Sequence, residues 1–153
     1  MGEIKESSFR PAWWLRSAHL QTIWPSLGRP RPRPALRSRR IELSDGDFID
    51  LAIGGGVGQR VLIVHGLEGD MNSHYAGSLV TRLVTEGFVP VFMHLRGCSG
   101  EPNRLDRSYH SGATEDLAEV LTALAADPEG APAAAVGFSL GANLLLKYLG
   151  ERD

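Results

Sequence analysis

Ser139 lies between two glycines in Gly137-Phe138-Ser139-Leu140-Gly141, a spacing that can present a hydroxyl for chemistry. The pentapeptide fits the G-x-S-x-G turn, in which a strand passes straight into a helix and lifts a serine above the sheet. The flanking glycines have a steric reason, since so sharp a turn leaves no room for β-carbons two residues to either side. A serine hydroxyl is a poor nucleophile until a base takes its proton. The tetrahedral oxyanion it forms needs fixed N–H donors, each worth ~10² to 10³ in turnover. One donor at such a turn is the backbone N–H of Leu140, where a helix start adds positive potential. The second comes from a loop after an earlier strand. His65-Gly66-Leu67-Glu68-Gly69 occupies that place, with Leu67 the best candidate for the N–H and His65 and Gly66 shaping the turn.

The proton acceptor is harder to place. All five histidines (His19, His65, His74, His94 and His110) precede Ser139, and only Glu151 and Asp153 carry carboxylates after it. In enzymes with this turn the acid and the histidine follow the serine, so a Ser-His-Asp triad cannot be completed within these residues. An inverted order, with His65 as base and Asp116 as its orienter, is the weaker reading, because Asp116 falls where a helix start takes a capping charge. His65 is read as a turn residue. Neither a metal site nor a cofactor is indicated: His65, Glu68, Asp70 and His74 lack ligand spacing, and His-Glu-x-x-His is absent. Cys98, in a turn beside Arg96, could have a lowered pKa but is read as structural.

The elements needed to position these groups follow from pattern. Ile41-Glu42-Leu43 and Phe48-Ile49-Asp50-Leu51 alternate in polarity around Ser44-Asp45-Gly46-Asp47, a hairpin signal. Gly54-Gly55-Gly56-Val57-Gly58 lacks the Lys-Ser or Lys-Thr of a phosphate loop and reads as a flexible turn. Val61-Leu62-Ile63-Val64 and Val89 to Leu95 are apolar runs typical of strands buried on both faces. Between them, Tyr75, Leu79 and Leu83 with Ala76, Val80 and Val84 predict an amphipathic helix, capped by Asn72-Ser73 and ending at Gly87. A second helix begins with Ser111 or Thr114 as cap, carries Glu115 and Asp116 early, presents Leu117, Val120, Leu121 and Leu124, and stops at Asp127-Pro128. Ala133 to Val136 then form the strand before Ser139. Hairpin, strand, helix, strand, helix, strand, helix is an α/β order with a mainly parallel sheet.

Ahead of this lies a segment of different character. Phe9 to Leu27 holds Trp13, Trp14 and Trp24, read as an arm packing on the domain rather than a lipid-facing patch. Arg29 to Arg40 alternates Arg and Pro, read as an extended linker rather than a phosphate-binding tract. The expected division is therefore residues 1–40, arm and linker, and 41–153, the α/β domain.

Composition narrows the function classes. The 153 residues are 42% hydrophobic and 22% charged with formal net charge −2, which argues against nucleic acid as a partner. One cysteine excludes an internal disulfide and suits a reducing compartment. Met1 to Phe9 has no apolar core and is not a secretory signal; the longest uncharged run, Gly130 to Leu146, contains Pro132, Gly137 and Gly141 and is no membrane span. A cytoplasmic protein without a transmembrane segment is expected. Its oligomeric state is not legible.

Several blocks, in this order, carry a wider resemblance: His19-Leu20-Gln21-Thr22, Asp45-Gly46-Asp47-Phe48, His65-Gly66-Leu67-Glu68-Gly69, Met93-His94-Leu95-Arg96-Gly97-Cys98-Ser99-Gly100-Glu101-Pro102-Asn103-Arg104, Tyr109-His110-Ser111-Gly112 and Gly137-Phe138-Ser139-Leu140-Gly141-Ala142-Asn143. From His19 onward the chain resembles the YheT-type branch of the α/β-hydrolase superfamily, whose animal relatives are the ABHD lipid and ester hydrolases. The resemblance implies the N-terminal portion of an α/β-hydrolase fold, Ser139 as charge-relay nucleophile, and hydrolysis of small-molecule or lipid carboxylic esters. Members usually have glycine where Ala142 stands. They also continue further, adding strands, a lid, and the acid and histidine. On that resemblance the chain looks like an N-terminal half, expected to be inactive and poorly soluble alone because Ala133 to Val136 would be an exposed apolar edge. A truncated homologue serving as a non-catalytic binding module is the alternative.

Overall fold

A computed structural model describes residues 7–28 and 31–152. Met1 to Glu6 of the stretch read as lacking a signal, Arg29 and Pro30 of the Arg/Pro tract, and Asp153 lie outside the described residues. The chain divides into two units, one ending at Pro30 and the other beginning at Arg31. In the first, α1 (Ala18–Leu27) sets Trp24 edge-on against Trp14, ring centroids 5.2 Å apart, and Gln21 donates to the Leu15 carbonyl. No described helix is long and apolar enough to cross a membrane.

The second unit is built on one five-stranded sheet of order β1-β2-β4-β3-β5. Its strands are β1 (Leu36–Glu42), β2 (Phe48–Gly54), β3 (Arg60–Val64), β4 (Val89–Met93) and β5 (Ala134–Gly137); its helices are α2 (Ala76–Thr85), α3 (Thr114–Ala125) and α4 (Leu140–Gly150). β1 and β2 form the expected hairpin, and β2 runs antiparallel to β4. From β4 through β3 to β5 the sheet is parallel. The antiparallel part is the hairpin's own contribution, and the crossover helices supply the rest.

Alternation explains the unbroken apolar run of β3. Leu62 and Val64 join a core with Leu117, Val120 and Leu124 of α3 and Leu144 of α4. Ile63 points the other way and joins Ala76 and Val80 of α2 with Phe92. Helices thus cover both faces, and every residue of β3 is buried. Arg60 can be buried in that strand because its guanidinium reaches the Leu124 and Gly130 carbonyls at 3.2 and 3.0 Å and Asp127 at 2.9 Å.

Three local expectations change. β1 starts at Leu36, so the last arginines of the supposed linker are strand residues. Arg40 makes two 2.8 Å bonds to Asp50 and lies 3.6 Å over the Phe48 ring, and Arg39 pairs with Asp127. Strand pairing and specific carboxylates outweigh the extended preference of a proline-rich tract. Neither helix start uses the expected cap. Ser73 Oγ accepts from Asp70 N–H in a turn ahead of α2, while Thr114 donates its hydroxyl to Glu151 at 2.6 Å. Asp116, the expected capping charge, grips Arg96 through two 2.7 Å bonds.

Arg96 is the hub of a buried ionic cluster. Besides Asp116 it donates to Asp47 at 2.6 Å and Asp45 at 2.8 Å. Asn103 donates to Asp47 and to the Phe48 carbonyl at 2.8 Å each, and the Arg104 N–H adds a bond of 3.0 Å to Asp47. The cluster fastens the loop after β4 to the hairpin turn and to the first turn of α3. Burial alone would push the Asp47 carboxyl up, but the bonds from Asn103, the Arg104 and Phe48 N–H groups and Arg96 prevail and hold it at about 2, below the ordinary 3.8. A lowered carboxyl stabilises the fold above its ordinary pKa and loses that contribution as pH falls toward the folded value. Stability should therefore decline between pH ~4 and ~2, and Asp47→Asn should flatten that limb of a urea-denaturation series. Arg96→Met strands three carboxylates and should cost about 3–5 kcal/mol, read from the same urea midpoints.

Candidate active site

β5 delivers Ser139 and α4 begins one residue later. Ser139 adopts φ 49° and ψ −113°, a conformation costly for a side-chain-bearing residue by about 1–3 kcal/mol. Such strain persists because the surroundings over-determine it. Phe138 N–H donates to the Val64 carbonyl at 3.0 Å, and Gly141 N–H donates to the Phe138 carbonyl at 2.9 Å. A β-carbon on Gly141 would lie 2.3 Å from the Val64 oxygen, and one on Gly137 would lie 2.5 Å from Ala142 backbone atoms. The first turn of α4 is thus pressed against the ends of β3 and β5, closer than any side chain permits. Ser139 is exposed at the outcome of this packing.

The loop after β3 lies directly beside the serine: a β-carbon on Gly66 would stand 3.3 Å from Ser139 Cβ. Gly66 N–H donates to Tyr75 Oη at 3.2 Å, Glu68 N–H to Tyr109 Oη at 2.6 Å, and Gly69 N–H to the Gly66 carbonyl at 3.0 Å. Among the described residues, the N–H groups of Leu67 and Leu140 meet no acceptor. Glu68 has φ 51°, which closes this turn. Tyr75 stacks on Phe138 with ring centroids 3.8 Å apart, joining the loop to the residue before the serine.

His65 is fully buried and both its ring nitrogens are engaged. Leu95 N–H donates to Nε2 at 2.9 Å, so Nδ1 carries the proton and donates to the Gly66 carbonyl at 2.6 Å. Burial first, and His94 nearby, hold its pKa below the usual value, against the opposing pull of the Gly66 bond. A neutral ring with no free nitrogen has nothing to offer the serine. Asp116 belongs to Arg96, and it shares no hydrogen bond with His65. Ser139 Oγ itself has no partner among the described residues. The Cys98 thiol is pushed up by burial rather than lowered by Arg96, whose charge is spent on three carboxylates. Asn143 of α4 donates to the Ser111 carbonyl at 2.9 Å, tying the Tyr-His-Ser-Gly block to the helix after the serine.

The Arg96 cluster and the two tyrosine hydroxyls are absent from a motif-by-motif reading. Tyr75 reads simply as part of an apolar helical face. Tyr109, Arg96, Asn103 and Asp47 do stand within the quoted blocks, and the structure brings those blocks together. Beside the serine, β5 pairs among the described residues with β3 alone, and Ala134 and Ala135 are exposed on its other edge. A groove of about 490 Å³ runs there between Leu62, Leu121, Leu145, Tyr148 and Leu149.

The chain is 46% identical over 150 residues to YheT of Escherichia coli (strain K12), a candidate esterase by name, covering 95% of this chain and 44% of that one. The chain belongs to the YheT- and ABHD-type branch of the α/β-hydrolases. Phospholipase ABHD3 of Mus musculus is 27% identical over 158 residues, covering 97% of this chain and 38% of the relative. Among solved structures, the Pyrococcus furiosus esterase Pf2001 superposes with a TM-score of 0.63 at 18% identity over 80% of this chain and 53% of its own, a likeness of fold. No family model matches. The chain therefore spans less than half the length of these two relatives. For this α/β-hydrolase chain, Gly141→Ala forces backbone apart at the turn between β5 and α4 and should cost about 1–3 kcal/mol, seen as a lowered melting temperature, whereas Ala142→Gly should leave melting within ~0.5–1 kcal/mol of the parent, the usual penalty of glycine in a helix.

Proposed function

We propose that this chain carries the nucleophile and the oxyanion site of a serine carboxylic ester hydrolase. Ser139 Oγ attacks the ester carbonyl, and its proton passes to a histidine from sequence following residue 153. The oxygen that becomes an oxyanion is received by the N–H groups of Leu67 and Leu140. Collapse expels the alcohol, protonated by the same histidine, and water then hydrolyses the acyl-enzyme along the reverse path. His65, Gly66, Gly137 and Gly141 support the two turns without entering the chemistry.

The observation that carries this reading is a strained serine followed by the Leu140 N–H and beside a loop whose Leu67 N–H likewise meets no acceptor among the described residues, a loop so close that a β-carbon on Gly66 would stand 3.3 Å from Ser139 Cβ. That is the arrangement acyl transfer requires. The missing base agrees with the chain spanning 44% of YheT. The remaining strands would add to the free edge of β5 and cover the groove beside α4. A lipid or small acyl ester is the substrate class, in keeping with a relative named as a phospholipase.

The test is made on the whole protein. Ester hydrolysis measured with p-nitrophenyl esters should fall by about 10⁴-fold or more in Ser139→Ala, and a fluorophosphonate should label the parent at Ser139 only. Residues 1–153 expressed alone should show no turnover. An undiminished rate in Ser139→Ala would refute the proposal.

A further inference from the structure

The loop that carries Leu67 has four successive N–H groups, and three of them are occupied. Tyr75 takes Gly66, Tyr109 takes Glu68, and the loop's own Gly66 carbonyl takes Gly69. Only Leu67 N–H is left. The two phenols come from separate elements: Tyr75 immediately precedes α2, and Tyr109 precedes α3 in the long loop after β4. They grip the residues on either side of Leu67. We infer that Tyr75 and Tyr109 are positioning residues that aim the Leu67 N–H at the developing oxyanion, an inference that rests on the ester hydrolase reading above.

Geometry supports an aiming role over mere packing. A backbone turn can rotate about the bonds flanking one peptide, and a donor is useful only if it points at the oxyanion rather than the ground-state carbonyl oxygen. Fixing the N–H on both sides of Leu67 removes that freedom, so the reorganisation is complete before substrate arrives. Each phenol is anchored in turn. Tyr75 is stacked on Phe138, so the donor loop and the serine turn share one support. The Tyr109 ring meets the His65 ring edge-on at 6.4 Å. His65 connects Leu95 to the Gly66 carbonyl. Leu95, just after β4, and Tyr109, of the Tyr-His-Ser-Gly block, thereby meet at the loop that carries Leu67. A phenol suits this post, since its oxygen lone pairs can accept the N–H at the end of a rigid ring.

Tyr109→Phe and Tyr75→Phe in the whole protein keep the rings and delete only the hydroxyls. Each should lower kcat about tenfold with KM near the parent value, a fraction of the 10² to 10³ for an oxyanion donor lost outright. Inhibition by a boronic acid, which mimics the tetrahedral state, should weaken by the same factor as kcat/KM, a parallel that loosened packing would not produce. Hydrogen exchange at residues 66–69 reads the loop apart from turnover and should quicken at Glu68 in Tyr109→Phe and at Gly66 in Tyr75→Phe. Unchanged kcat and boronate affinity in an active parent would overturn the aiming role alone, as would unchanged exchange. A parent with no Ser139-dependent hydrolysis would overturn the aiming role together with the ester hydrolase reading.

Discussion

Contact between the first turn of α4 and the ends of β3 and β5 governs much of this molecule. Gly141 rests where a β-carbon would stand 2.3 Å from the Val64 oxygen and 2.5 Å from the His65 oxygen. That approach forces the chain to turn within one residue, and the turning residue is Ser139 with its left-handed φ. Side-chain packing below makes the approach favourable: Leu144 of α4 is buried with Leu62 and Val64 of β3 and with α3. Burial of that apolar face supplies the free energy that holds the serine strained. The same crowding brings Gly66 against the serine, so Ser139 and the loop after β3 are fixed by one packing event.

Ionic groups do a different task from the core. Three carboxylates around Arg96 would be costly if left unpaired, and their mutual arrangement is tolerable only because one guanidinium, Asn103 and backbone N–H groups satisfy them together. The reward is the placement of a long loop. Residues 94–113 contain little regular structure, yet Tyr109 must arrive within hydrogen-bond reach of Glu68. Arg96 at one end of that loop and the Ser111–Asn143 bond at the other constrain where it can go. A second cluster, Arg39 and Arg60 on Asp127, binds β1 and β3 to the end of α3.

Much of the site was legible because close approach leaves a mark in composition. Glycines at 137 and 141 with a serine between them record a turn no larger residue could make, and a His-Gly turn after an apolar strand records the loop that packs beside it. Strand and helix types follow from period: β3 is apolar throughout because both faces are covered, and α3 shows its buried stripe in Leu117, Val120 and Leu124. The helix starts were misjudged for a common reason. Thr114 and Asp116 are good capping residues, but each has a partner elsewhere in the fold, and local preference of about 1 kcal/mol yields to such bonds, while Ser73 Oγ is taken up by the Asp70 N–H in the turn before α2. The arginines at 37–40 resemble a linker only until β2 and its carboxylates stand beside them.

The sequence by itself determined the order of elements, the identity of Ser139 as the exposed hydroxyl, and the absence of a following histidine within these 153 residues. Those are properties of local pattern and chain order, which need no partner to be read. Tertiary structure alone decided which N–H groups are spare, which tyrosine oxygens take the others, and that His65 has both nitrogens in use. These depend on distances of about 3 Å between residues up to 41 positions apart. No spacing rule encodes them, because hydrogen bonds are chosen only after packing has brought their groups together.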